Sequence, residues 1–283
     1  MALNLDMLGA QLGPFLHRWD SKDAILYALS VGAGPSELAF TTENTQGITQ
    51  KLLPTFSVIG CGPEAIDIWD KIGTFDHSQL LHLEQSISLA ADLPPSAEVE
   101  TTASVEGIYD RIIGASVEVR FTTRDVCTAK VLFETESTVI IRGEGGFGGP
   151  RGSRAKVPNA PERDPDAVIT YETQPGQALL YRLNGDRNPL HSDPEFARAA
   201  GFERPILHGL CTYGFAGRAL LSATCDNESE KFGSMSARFV APVYPGDLLT
   251  TAIWRSDEGA AFLVENQCGV TVLDRGSFTY RGV

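Results

Sequence analysis

Apolar and polar positions along the chain run through the same pattern twice. "AILYALSVGAGP", Ala24 to Pro35, is apolar at helical spacing and then turns glycine-rich. Asp20 or Ser21 suits its N-cap. "ALLYRLNGDRNP", Ala178 to Pro189, matches it without a gap, with Ala, Leu, Tyr, Leu and Pro at corresponding places. Pro175 suits the first turn of this second helix. "DPEFARAAG" predicts a small helix with Asp193 as cap, Pro194 as first residue and Gly201 as stop. "HGLCTYGFAGRALLSA" predicts a longer one. Leu210, Gly214, Gly217 and Leu221 share one of its faces, where small residues suit the close approach of a sheet. Strand-like runs follow: "SMSARFVAPV", "DLLTTAIWRS", "AFLVENQCGVTVL" and "GSFTYRG". The first half has its own, among them "GASVEVRFTTR" and "STVIIRG".

Two further matches keep nearly the same offset. "PTFSVIG" at Pro54 faces "PILHGL" at Pro205, and "PPSAEV" at Pro94 faces "YPGDLL" at Tyr244. Three matches in order indicate an internal duplication. Between the copies, residues 141–167 are rich in Gly, Pro and charge, as a linker or surface loop is. The expected layout is a first half over 1–150, a linker over 151–170 and a second half over 171–283. One long helix followed by an antiparallel sheet, made twice, predicts an α+β chain of two helix-on-sheet units side by side.

Charge narrows the partners. With 23 basic and 36 acidic residues among 283, the net charge is −13. That disfavours nucleic acid and anionic membranes, and an anionic small molecule would need a local cluster of cations. The five Cys form no CxxC pair and, with the five His, no zinc spacing, so a reduced intracellular chain is expected. No basic segment leads into an apolar one at the N-terminus, and no apolar run reaches membrane-spanning length. "GEGGFG", Gly143 to Gly148, fits the dinucleotide pattern GxGxxG after a strand-like run. The "GPRGSRAKVPNAP" that follows cannot supply the helix such a site needs, so an interdomain loop is expected. Cys211 reads as a packed core thiol. His208 is either a satisfied polar group at a helix start or catalytic, with the structural reading ahead. His17 and His77 carry no motif.

"YRLNGDRNPLH", Tyr181 to His191, is the stretch that points to chemistry. Asp186, Asn188 and His191 gather where one helix stops and shortly before another begins. An acid and an imidazole near a free backbone N–H can hold a water and polarise a carbonyl. A helix-ending turn that happens to contain His accounts for the same residues, and the pattern alone leaves both open.

The longer run "YRLNGDRNPLHSDPEFARAAGFERPILHGLCTYGFAGRALL" closely resembles the signature of the (R)-specific type 2 enoyl-CoA hydratases of the MaoC-like group, which include the hydratase part of the peroxisomal multifunctional enzymes. The likeness extends through "ILYALSVGAG", "LLHLEQSISLAADLPP", "GEGGFGG" and "ARFVAPVYPGD", and so over nearly the whole chain. It implies a double hotdog: two helix-wrapped antiparallel sheets, a dimer-like pair within one chain. It implies Asp186 and His191 as the catalytic pair, Asn188 as a holder of the water and Gly209 as the backbone donor to the thioester oxygen. Acyl-CoA contacts would fall on Asp186, Arg187, Asn188, Pro189, Leu190, His191, Gly209 and Phe239, and on His82 and Leu83. Leu83 stands where the family commonly has Gly, and a side chain there would narrow the groove. Arg111 stands where the family usually has Lys, and would supply a cation to a CoA phosphate. The implied reaction is reversible hydration of a trans-2-enoyl-CoA to the (3R)-hydroxyacyl-CoA, which requires no metal and no redox cofactor. A hotdog acyl-CoA thioesterase and a non-catalytic acyl-CoA-binding protein are the rival readings. The resemblance allows a homodimer. It places the chain in the cytoplasm of a bacterium, and leaves the peroxisome open in a eukaryote, although the final "RGV" is not a peroxisomal tripeptide. The duplication sets Gly32, Gly34 and Glu37 opposite Asp186, Asn188 and His191. The first half, lacking the acid and the imidazole, is expected to house the acyl tail.

Overall fold

The structure is a computed structural model and describes residues 3–66, 68–152 and 160–282. The middle of the expected linker, residues 153–159, lies outside the described residues.

Among the described residues, ten antiparallel strands form one continuous sheet. The first half supplies β1 (Gln11–Trp19), β2 (Leu80–Leu89), β3 (Ala97–Arg111), β4 (Gly114–Asp125) and β5 (Val131–Arg142). The second supplies β6 (Ala167–Glu172), β7 (Phe232–Phe239), β8 (Leu248–Arg255), β9 (Gly259–Asn266) and β10 (Thr271–Tyr280). Their order is β1-β3-β4-β5-β2-β7-β10-β9-β8-β6. Each half therefore repeats one topology, and β2 meets β7 at the centre with Ser86 opposite Ser236. The strands alternate as half-buried strands do. Along β3, Val99, Thr101, Ala103 and Val105 are buried while Glu98 and Glu106 are exposed.

Helices pack on this sheet. The first half carries α1 (Ser21–Ser30), α2 (Leu38–Thr41), α3 (Ser57–Gly60), α4 (Pro63–Ile66) and α5 (Trp69–Ile72). The second carries α6 (Gln177–Tyr181), α7 (Pro194–Ala199) and α8 (Gly209–Cys225). Asp20 caps α1 in a reciprocal capping box with Asp23, and Asp193 caps α7. Buried α8 is the hub of a core that includes Trp19, Tyr27, Phe56, Tyr213, Phe215 and Phe262. A second core lies between α3–α5 and the first-half strands, around Phe15, Cys61, Ile68, Val117 and Ile141. Among the described residues no helix is long and apolar enough to cross a membrane.

Five local expectations change. Among the described residues a long helix occurs once, not twice. Its first-half counterpart breaks into α3, α4 and α5, because Gly62 adopts φ +86° and Pro63 has no N–H to give a continuing helix. Pro175 lies in the turn before α6, which Gly176 caps. The small face of α8 admits the first half's helix end and a turn rather than a sheet: a Cβ on Gly214 would stand 2.5 Å from Val31, and one on Gly217 2.3 Å from Thr55. "AFLVENQCGVTVL" is two strands, turned at Gly269 (φ +72°), and its end runs on through "GSFTY" as β10. Finally, β6 begins at Ala167, inside the expected linker.

Candidate active site

The turn after α6 is shaped by its sequence. Gly185, at φ +126°, reverses the chain at a conformation that L side chains rarely adopt. Asp186 Oδ1 accepts from the Asn188 amide at 3.1 Å, and Asn188 Oδ1 accepts from the Leu190 amide at 3.0 Å. These Asx turns lead into a short 3₁₀ turn, Pro189–His191. They use one oxygen of each side chain and leave the other Asp186 oxygen and the Asn188 amide group for a ligand.

His191 Nδ1 lies 2.9 Å from the Ile206 carbonyl. A carbonyl only accepts, so Nδ1 carries the hydrogen and Nε2 keeps its lone pair. Burial lowers the pKa of His191 from its usual 6.5 although the Asp186 carboxylate pulls it up. Desolvation wins, and the imidazole is neutral at pH 7. The nearest donor atoms of Asp186, His191 and His208 all lie within 4.8 Å of one another. Two groups that share one water at ordinary hydrogen-bond lengths sit about 4.5 Å apart. The spacing therefore suits a single water between carboxylate and imidazole.

The same three side chains form a metal-like set, but the rings argue otherwise. His191 and His208 are stacked, with centroids 3.7 Å apart and planes 25° apart. Lone pairs that lie in nearly parallel planes run side by side instead of converging on one ion.

Gly209 opens α8, so its N–H has no partner within the helix and sits at the positive end of a 17-residue dipole. Phe239 packs closely over the glycine, since a Cβ there would lie 3.1 Å from its ring, a tight contact. That ring also packs against His82, with centroids 4.8 Å apart. Burial pulls the pKa of His82 down to about 4.

These groups share one cavity of about 770 Å³. Asp186, Arg187, Asn188, Pro189, Leu190 and His191 line one wall, and His82, Gly209 and Phe239 complete the polar end. The cavity then runs into the first half between Val58, Cys61, Trp69, Phe121 and Thr135. Two expected residues are not brought to it. Leu83 is the extra residue of a bulge, where β2 slips against β5 between His82 and Glu84, and it does not line the groove. Arg111 lies at the end of β3, half-buried, with Nε donating to Ser116 Oγ at 3.2 Å and its guanidinium 5.5 Å from the Tyr109 ring. Arg142, exposed at the end of β5, lines the cavity instead and was not singled out by any motif. The tail-end residues were equally silent, apart from the i, i+2 spacing of Thr135, Ser137 and Val139 along one strand face.

The matching turn of the first half is filled. A Cβ on Gly32 would stand 2.4 Å from the Phe215 ring and 3.1 Å from an Arg218 nitrogen. Glu37, opposite His191 in the repeat, takes Arg218 with both oxygens, at 3.0 and 2.5 Å. "GEGGFG" is a pinned loop: the Gly146 and Gly148 amides donate to the two Asp110 oxygens, each at 2.7 Å. Buried Cys211 gives its thiol to the Ser30 carbonyl, and burial raises its pKa well above the usual value, as suits a core residue.

Comparison with known proteins agrees with this architecture. Residues 156–274 match the MaoC like domain, and residues 17–143 match the MFE-2 hydratase 2 N-terminal domain. The chain is 45% identical over 289 residues to 3-hydroxyacyl-thioester dehydratase Y of Mycobacterium tuberculosis, covering 99% of each chain. It is 40% identical to the enoyl-CoA hydratase ChsH3 of the same organism, covering 90% of each. The crystal structure of a MaoC-like dehydratase from Phytophthora capsici superposes with a TM-score of 0.88 at 30% identity, covering 98% of each chain. With its paired five-stranded halves, this chain is a double hotdog protein and belongs to the MaoC-like dehydratase family, in the branch that carries a hydratase 2 N-terminal domain.

Proposed function

We propose that the chain is an (R)-specific enoyl-CoA hydratase, acting reversibly on trans-2-enoyl-CoA in fatty-acid metabolism. The observation that carries this reading is the His191 imidazole, with Nδ1 held by the Ile206 carbonyl, within 4.8 Å of the Asp186 carboxylate in a cavity that Gly209 at the start of α8 also lines. Water adds to C3 while negative charge moves to the thioester oxygen. Gly209 N–H, at the helix N-terminus, is the donor for that oxygen. His191 Nε2 takes one proton from the water as its oxygen bonds to C3. The imidazolium, steadied by the Asp186 carboxylate, returns that proton to C2 on the same face. One water is consumed, and both residues end as they began.

The cavity supports a division of labour. The polar end belongs to the second half, while the apolar end runs into the first half and suits an acyl tail. Glu37 and Arg218 occupy the place of a second site, which supports one site per chain. Arg187 and Arg142 stand exposed on the cavity wall and are the cations it offers to CoA phosphates.

Incubation with crotonyl-CoA and a longer trans-2-enoyl-CoA tests the reading. Hydration bleaches the enoyl-thioester absorbance, leaves the CoA thiol masked and yields the (3R) product. Free thiol would instead mark a thioesterase. Tight binding with no turnover in either direction would mark a non-catalytic acyl-CoA-binding protein.

A further inference from the structure

His208 is 1% exposed and lies between two rings. His191 stacks on it at 3.7 Å between centroids, and Tyr181 of α6 packs at 4.9 Å, tilted by 48°. Its Nε2 lies 3.3 Å from the Asp186 carbonyl oxygen. The carbonyl only accepts, so Nε2 carries the hydrogen, and the neutral ring has its lone pair on Nδ1. That Nδ1 is buried and has no hydrogen-bond partner. Its own carbonyl accepts from Cys211 N at 3.1 Å and Thr212 N at 3.2 Å, which starts α8 and aims the Gly209 amide. One residue thus touches the acid's backbone, the base's ring face and the helix start.

We propose that His208 is a positioning residue of this site, whose ring fixes the Asp186 backbone and covers the face of His191 while its carbonyl anchors the helix that presents Gly209. The proposal rests on the hydration reading for its catalytic consequence. A second proton on His208 would create a buried donor without an acceptor, beside another imidazole, and such a group is costly. The charged and titratable groups around it are Asp186 and His191 on the catalytic turn, Arg182 just before it and Tyr181 on α6, with His82 of β2 across the cavity. Burial and His191 together lower the pKa of His208 to about 3, so it stays neutral through the working range. It therefore does not compete with His191 for the water's proton. Its flat face keeps solvent off His191 and so helps to keep that ring neutral.

Two variants separate these duties. His208→Phe keeps a flat ring and loses the donor to Asp186. It should lower kcat roughly 3- to 10-fold, the size of one lost hydrogen bond, with KM and the acid limb of kcat/KM unchanged. His208→Gln keeps an amide donor at the same reach and loses the ring. It should lower kcat less than His208→Phe does, while the acid limb moves up toward 6.5, as water reaches His191. Thermal unfolding of each variant corrects for any unfolded fraction. Wild-type kcat in His208→Phe together with an unmoved limb in His208→Gln overturns the proposal, as does a loss explained wholly by unfolded protein. An ¹⁵N titration of the His191 imidazole in wild type and His208→Gln reads the same shift without substrate. A wild type inert on every enoyl-CoA overturns the hydratase reading alone. An unmoved His191 titration in His208→Gln, with wild-type kcat in His208→Phe, overturns the role of His208.

Discussion

At the residue scale, the site depends on which proton sits where. His191 is held with its hydrogen on Nδ1 and its pKa below 6.5 by burial, so its basic form prevails as pH rises through that lowered value. kcat/KM should therefore climb on the acid side with a midpoint below pH 6.5 and be flat by neutral pH. A limb centred above 6.5 would mean that the imidazole is not the base described here. The cations make a second prediction. Arg142→Glu, on the cavity wall, should raise KM for full CoA esters more than for pantetheine thioesters, because only the former carry phosphates that a guanidinium holds. Equal effects on both would point to misfolding or another role. Asp186, Asn188 and His191 were legible in the sequence because Asx turns and chemistry demand the same residue types in the same short stretch. His208 was only half legible. Its ring stack and its bond to Asp186 join positions 22 residues apart, and no local pattern encodes them. Arg142 was invisible because a strand-end arginine looks like any solvated surface charge.

At the scale of elements, the two halves differ in the helix that follows each turn, which supports the proposal that the second half reacts and the first receives the tail. In the second half, α8 is unbroken and its N-terminus faces the catalytic turn. In the first half, Gly62 and Pro63 break the equivalent helix, and its pieces leave room that the cavity occupies beside Val58, Cys61 and Trp69. Val58→Phe should fill part of that room. Turnover of long-chain enoyl-CoA should fall, crotonyl-CoA should be spared, and added bulk in a core site costs about 1–3 kcal/mol of stability. Equal losses on short and long substrates at an unchanged unfolding temperature would show that the tail lies elsewhere. The repeat was readable from "AILYALSVGAGP" against "ALLYRLNGDRNP", and the α8 sequence predicted its helix. The fragmentation of the first helix was carried only by Gly62 and Pro63. The bulge that turns Leu83 away from the groove left no mark, since pairing register depends on the neighbouring strand.

At the scale of the whole molecule, one sheet and a shared core tie the halves together through β2 and β7, and the site draws its walls from both. His82, His191 and His208 are held as neutral groups against this core, and that links stability to acid. Folded His82 and His208 protonate only near pH 4 and pH 3, whereas the unfolded chain takes up these protons near 6.5. His191 adds to this in the same direction. Below 6.5 the unfolded state binds more protons than the native one, so this contribution is complete above 6.5 and is lost as pH falls toward 4 and then 3. The unfolding temperature should drop across that window, and replacing His82 with Gln should flatten the upper part of the fall; a profile that the replacement leaves unchanged would contradict it. The most direct test of the central claim is the hydration rate of Asp186→Asn on a long-chain trans-2-enoyl-CoA, measured with its affinity for a non-reacting acyl-CoA analogue. A single site that works through this carboxylate predicts one analogue bound per chain with affinity kept and a rate ~10²–10⁴-fold below wild type. A variant that retains about half of the wild-type rate, or binds two analogues per chain, would place catalysis in the first half as well and contradict the account.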